Sequence, residues 1–153
     1  MKRTSLAALA AASIGLSTAA GAADPQFFPS PDPALAALPF SEAVRSGDLL
    51  FLSGQIGAVP GKLAVVPGGL EAEARQALAN IKAILERHGS SMDRVVKCTV
   101  FLADMKDWPA FNGVYREFFA RNLPARSALG ANGLALGARV EVECIAVVKT
   151  ARP

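Results

Sequence analysis

Residues 70–102 read LEAEARQALANIKAILERHGSSMDRVVKCTVFL, and the spacing of their apolar side chains changes partway along. Leu70, Ala74, Leu78, Ile81 and Leu85 recur at intervals of three and four, which predicts an amphipathic helix over Leu70 to His88. Gly89 stands where a left-handed residue would end it. His88, the only histidine of the chain, falls in the last turn, where a cation interacts favourably with the helix dipole. That placement makes it a capping or surface residue rather than a general base. Val95 to Leu102 is too rich in β-branched residues for a helix and reads as a central strand.

Working outward in both directions, the same alternation of short strands and helices continues. Ala43-Val44-Arg45 and Leu49-Leu50-Phe51-Leu52-Ser53 flank the turn residues Ser46-Gly47-Asp48, predicting two strands in a hairpin. Ser53-Gly54-Gln55 ends the second strand, and Pro60-Gly61-Lys62 marks another tight turn. Downstream, Asp107 is placed to cap a second helix with Pro109 in its first turn, continuing through Phe111, Val114, Tyr115, Phe118 and Phe119 and stopped by Pro124. Arg126 to Ala131 and the alternating run Arg139 to Lys149 complete the pattern as strands. The order strand, strand, helix, strand, helix, strand, strand predicts an α+β domain over residues 40–153, with helices on one face of a single antiparallel or mixed sheet. Residues 24–39 carry Pro25, Pro29, Pro31 and Pro33 ahead of Pro39 and read as an extended leader that adds little to the core.

Residues 1–23 have a different character. Lys2 and Arg3 precede an apolar run from Leu6 to Leu16 and then a stretch of small residues, the layout of a secretory signal peptide cleaved after Ala22 or Ala23. The expected address is therefore export, to the periplasm, with no stable membrane anchor. Leu6 to Ala23 approaches the length of a spanning helix, but Ala, Ser, Gly and Thr make it only weakly apolar. Taking Lys2 and Arg3 from the 16 basic residues leaves 14 against 13 acidic ones, a net charge of +1. Without a basic run, the mature chain offers no electrostatic case for binding nucleic acid. Export would also place Cys98 and Cys144, the only cysteines, in an oxidising compartment. Each sits in an alternating apolar run and reads first as a buried thiol packing as a small hydrophobe, with a disulfide between neighbouring strands as the alternative.

Several chemistries are excluded by residue supply. One histidine and two separated cysteines provide neither zinc-ligand spacing nor another metal site, and no glycine-rich loop cradles phosphate. Ser53 lacks the setting of a nucleophile elbow. Two charged positions stand out. Arg126 follows Pro124-Ala125 at the start of a strand, where it is either a solvated edge residue or a planar fork able to grip a carboxylate. Glu141 and Glu143 share one face of the last strand. That face is either wet or covered by another subunit, in which case one carboxylate becomes a base for activating water.

The segments Leu49-Leu50-Phe51-Leu52-Ser53-Gly54-Gln55-Ile56-Gly57, Gln76 to Leu85, Val95 to Leu102, Pro124-Ala125-Arg126-Ser127 and Val140 to Ala146 together resemble the RidA family, also called YjgF. The resemblance runs in the family's order from about Phe40 to Val148. It implies a chorismate-mutase-like α+β fold assembled as a homotrimer, with a site in each cleft between subunits. It implies hydrolytic deamination of 2-aminoacrylate and 2-imino acids to 2-oxo acids and ammonia, the activity of a 2-iminobutanoate/2-iminopropanoate deaminase, with no cofactor. By position, Arg126 would hold the substrate carboxylate and Glu141 would activate water, while Phe40, Ser53, Gly54, Asn112 and Ala128 would line the cleft. Phe40 stands where the family commonly has tyrosine, and Ala128 where it frequently has cysteine. A non-catalytic trimeric binder of small carboxylates, or a chaperone-like protein, is the alternative that keeps the same pocket without turnover.

Overall fold

The computed structural model describes residues 24–148, so the expected signal peptide over 1–23 lies outside the described residues, as does Lys149 at the end of the last expected strand. The chain runs β1 (Gln26–Phe28), α1 (Pro33–Ala36), β2 (Ala43–Ser46), β3 (Leu49–Leu52), β4 (Gln55–Ile56), α2 (Gly69–Arg87), β5 (Val95–Leu102), α3 (Trp108–Phe118), β6 (Ala125–Gly130) and β7 (Val140–Val147). The strands form one sheet in the order β1-β2-β3-β7-β5-β6, with β4 also pairing β7. β5 and β6 are parallel and every other pairing is antiparallel, so the sheet is mixed. The parallel pair follows from α3, which crosses over between β5 and β6.

One face of the sheet is packed against α2 and is the core. Cys98, Val100 and Leu102 of β5 and Val140, Val142, Cys144 and Ala146 of β7 are fully buried there, at every second position as strand geometry requires. A register shift between Val95 and Lys97 places both Val95 and Cys98 on that buried face while Val96 turns outward. From α2 come Leu70, Ala74, Ala77, Leu78, Ile81, Ile84 and Leu85, the stripe that the sequence period marks out. α3 adds Phe111, Val114 and Tyr115.

The opposite face is open in the protomer. It carries Leu49 and Phe51 of β3, Leu129 of β6, and Glu141 and Glu143 of β7; Leu49 and Phe51 are 39% and 40% exposed and Leu129 is 43% exposed. An open face with that much apolar surface is unusual for a protein that stays alone in solution.

Four sequence expectations are amended. The proline-rich leader is not merely extended: Gln26–Phe28 adds an edge strand to β2, Phe28 packs on the core, and Asp32 caps the single turn of α1. Cys98 and Cys144 are not free thiols but a disulfide, because register sets them directly opposite each other on β5 and β7. His88 does follow the last helical residue, with Gly89 at φ 76° after it. Its ring, however, is turned inward, stacked on Phe28 with ring centroids 4.3 Å apart, with Nε2 3.0 Å from the buried Glu42 carboxylate. Arg87 donates to the same Glu42 oxygen, so Glu42 and the Phe28 ring tie the chain ahead of β2 to the end of α2. Asp107 precedes α3 without capping it, since its carboxylate is taken by Arg139 at 2.8 Å.

Candidate functional site

Arg126 lies on β6, the edge of the sheet, and pairs in register with Cys98. Cys98 points into the core, so Arg126 leaves β6 on the helix side. There its guanidinium carbon sits 4.6 Å from the centroid of the Tyr115 ring and 5.8 Å from that of Phe111. One terminal nitrogen donates to Asn112 Oδ1 at 2.7 Å. The rest of the fork has no hydrogen-bond partner among the described residues. Arg126 is therefore not a solvated edge residue but a half-buried cation with a held face and an uncommitted edge. Ala128 follows on the same side of β6, partly buried against the core. Because β6 is an edge, the outward half of its backbone donors and acceptors makes no ladder bond.

Glu141 is built differently. It sits on β7 between Phe101 of β5 and Ile56 of β4, and its side chain takes the open face. The carboxylate lies against Gly54, at the join of β3 and β4, so closely that a Cβ at that position would collide with Glu141 Oε1. Glycine here leaves the space that the Glu141 carboxylate fills. Burial, and secondarily the like charge of Glu143, push the Glu141 carboxyl above the usual carboxylate range. No hydrogen bond to another side chain or to the backbone holds it among the described residues. Ser53, next along, donates its Oγ to the Ser41 carbonyl at 2.7 Å. That bond ties the segment carrying the exposed Phe40 to the end of β3.

The seven expected site residues thus fall into two groups. Asn112, Arg126 and Ala128 gather on the helix side at the β6 edge. Phe40, Ser53, Gly54 and Glu141 gather around the β3–β4 join. Two strand spacings, about 10 Å, and the thickness of the sheet separate Arg126 from Glu141, so one protomer does not bring them together. The aromatic platform of Phe111 and Tyr115 under Arg126 was hidden from sequence reasoning, because Phe111, Tyr115 and Phe119 at four-residue spacing read simply as a core stripe. Among the described residues, no three His, Cys, Asp or Glu side chains converge as metal ligands, and no helix is long and apolar enough to cross a membrane.

Comparison with known proteins places this architecture. Residues 32–148 match the family described as Endoribonuclease L-PSP. The 2-iminobutanoate/2-iminopropanoate deaminase of Mus musculus is 45% identical over 109 residues, covering 71% of this chain and 81% of the relative. RidA from the Antarctic bacterium Psychrobacter sp. PAMC 21119 superposes with a TM-score of 0.70 at 35% identity, over 79% of this chain and 94% of the other. TdcF of E. coli, solved with bound serine, superposes with a TM-score of 0.70 at 34% identity, over 74% and 91% of the two chains. The fold, the strand order and these likenesses agree, and the chain belongs to the Endoribonuclease L-PSP family, the RidA or YjgF proteins.

Proposed function

We propose that this chain is an imine deaminase, hydrolysing 2-aminoacrylate and 2-imino acids to 2-oxo acids and ammonia. The observation that carries the reading is the Arg126 guanidinium, fixed by two rings and Asn112 with its remaining donors free to take a carboxylate. The names of relatives at about 45% identity support the same chemistry.

The reaction needs a proton carrier beside an anchored substrate. 2-Aminoacrylate, an enamine, first loses a proton from nitrogen and gains one at C3, giving 2-iminopropanoate. Water then attacks C2 of the C=N bond, forming a C–O bond as the π electrons move to nitrogen. Glu141 takes the proton from the attacking water and passes it to that nitrogen. Glu141 then takes the hydroxyl proton of the resulting carbinolamine and passes it to the amine, the C–N bond breaks, ammonia leaves, and the C2 carbonyl closes. The raised affinity of Glu141 for protons suits a group that must both accept and return one. Water supplies the oxygen and both protons, so no redox partner enters.

Arg126 and Glu141 can serve one substrate if they come from different copies of the chain. A homotrimer in which the β6 edge of one protomer meets the β3–β4 join of the next would complete a site in each cleft and cover the apolar open face. The opposed placement of the two groups supports that assembly. The Cys98–Cys144 disulfide supports export to the periplasm after removal of a signal peptide near Ala22 or Ala23, since such bonds persist in oxidising compartments. The near-neutral chain from Asp24 onward gives no support to a nucleic-acid substrate.

Purified protein should accelerate ammonia release from imines generated by an amino-acid oxidase, and Arg126→Ala should return the rate to the spontaneous one. Equal rates for wild type, variant and buffer would sink the enzyme reading. Binding of 2-oxo acids without such acceleration would leave a carboxylate binder in its place.

A further inference from the structure

Beneath the Arg126 guanidinium lies a ring that the reaction as written does not use. Tyr115 is 3% exposed and Phe111 fully buried, and the pair stands with ring centroids 5.6 Å apart. Phe119 packs on the far side of Tyr115 at 4.4 Å. The three rings sit one turn apart on and just beyond α3, so the platform cannot turn without disturbing the core. Both Tyr115 and Phe111 lie within the distance, about 6 Å, at which a cation is attracted to a ring face. Asn112, on the same helix, takes one in-plane donor of the guanidinium.

We propose that Tyr115 is a positioning residue for substrate binding: its ring holds the flat face of Arg126 so that the free in-plane edge of the fork is presented to the carboxylate. This rests on Arg126 being the carboxylate anchor. An arginine on an edge strand would otherwise sample many rotamers, and the two-point carboxylate grip needs a fixed plane. A ring under the face stops the guanidinium tipping, and an amide on one edge stops it spinning. The ring leaves the in-plane donors free, because attraction to a π face uses no N–H edge.

The Tyr115 hydroxyl is buried and has no hydrogen-bond partner among the described residues. Ring and hydroxyl can therefore be tested apart. Burial raises the phenol to about 12, with Arg126 opposing, so the ring stays neutral and does not compete with substrate for the guanidinium charge.

The test is calorimetric binding of 2-oxobutanoate to the assembled wild-type protein and to Arg126→Ala, Tyr115→Leu and Tyr115→Phe. Arg126→Ala should abolish binding. Tyr115→Leu should weaken it about tenfold. In turnover, the same variant should show a raised KM with kcat held within about threefold, a split that a merely structural role would not produce. Tyr115→Phe, which keeps the ring, should bind within about threefold of wild type and melt at a higher temperature, because an orphaned hydroxyl is gone.

Wild-type affinity in a folded Tyr115→Leu protein, alongside loss of binding in Arg126→Ala, overturns this inference and leaves the anchor intact. Unchanged binding in Arg126→Ala, or none in wild type, overturns the anchor and this inference with it. Should Tyr115→Leu fail to fold, the unmutated protein still decides. The Arg126 Hε proton, assigned by its loss in Arg126→Lys, should be displaced upfield by the ring current of Tyr115. A resonance at the position of a freely solvated arginine overturns the proposal.

Discussion

The two halves of the candidate site solve opposite problems. At the β6 edge the proposed role needs a charge that does not move, and Arg126 lies over the Tyr115 ring and is tied to Asn112. At the β3–β4 join the proposed mechanism needs a charge that comes and goes. Glu141 is accordingly pressed into a half-buried niche against Gly54, next to a like charge and without a hydrogen bond that would lock it as the anion. A group that binds is stabilised in one state, whereas a group that transfers protons is kept near the balance between two. The sheet itself keeps the halves apart, with Arg126 on its helix side and Glu141 on its open side.

The strongest way to break this comparison is to put the halves on different chains. Arg126→Ala and Glu141→Gln should each be inactive alone. In the proposed trimer, co-refolding the two variants should recover activity in about one quarter of the clefts, those that receive both intact groups from neighbouring copies. No recovery in verified mixed trimers would show that the halves do not cooperate across an interface. A finer test addresses Glu141 alone. Its raised proton affinity places the acid limb of the kcat profile above that of an ordinary carboxylate, with activity falling as pH drops through it. Glu143→Gln should move that limb to lower pH, yet not to the ordinary position, because burial is the larger cause. An unmoved limb would assign it to another group.

The smallest effect on activity should come from the Cys98–Cys144 bond, which lies on the buried face away from Glu141. Opening a crosslink between cysteines 46 residues apart should cost about 4 kcal/mol of stability in chain-entropy terms. Chemical denaturation with and without reductant measures this, and kcat/KM of the reduced but folded enzyme should stay within about threefold. A large activity loss in folded, reduced protein would mean that the strand pair, rather than the side chains, sets the site.

Much of the scaffold was legible because periodicity reports burial. Val95 to Leu102 is the strand that its β-branched residues indicate, and α2 differs from its expected span by one residue at each end. What local pattern could not show was pairing. Whether Cys98 meets Cys144, and whether Arg126 shares a face with Glu141, depends on the register of strands far apart in sequence. His88 misled for a related reason: its helix-terminal position was read correctly, but the buried Glu42 that draws the ring inward comes from 46 residues earlier. The candidate site residues rest on a combination of motifs that no single one carries. Tyr115 escaped because a ring under a guanidinium and a ring in a core have the same spacing.

Gly54 gives the fold an unusual evolutionary exposure. A methyl group there would meet only the far end of the Glu141 side chain, which can swing away, whereas one at Gly57 would strike the backbone of Glu73. Substitution at Gly57 is therefore a threat to folding. At Gly54 it displaces the Glu141 carboxylate while leaving Arg126 and the scaffold in place. On the proposed mechanism, a single added carbon atom there would separate a hydrolase from a silent receptor for the same acids.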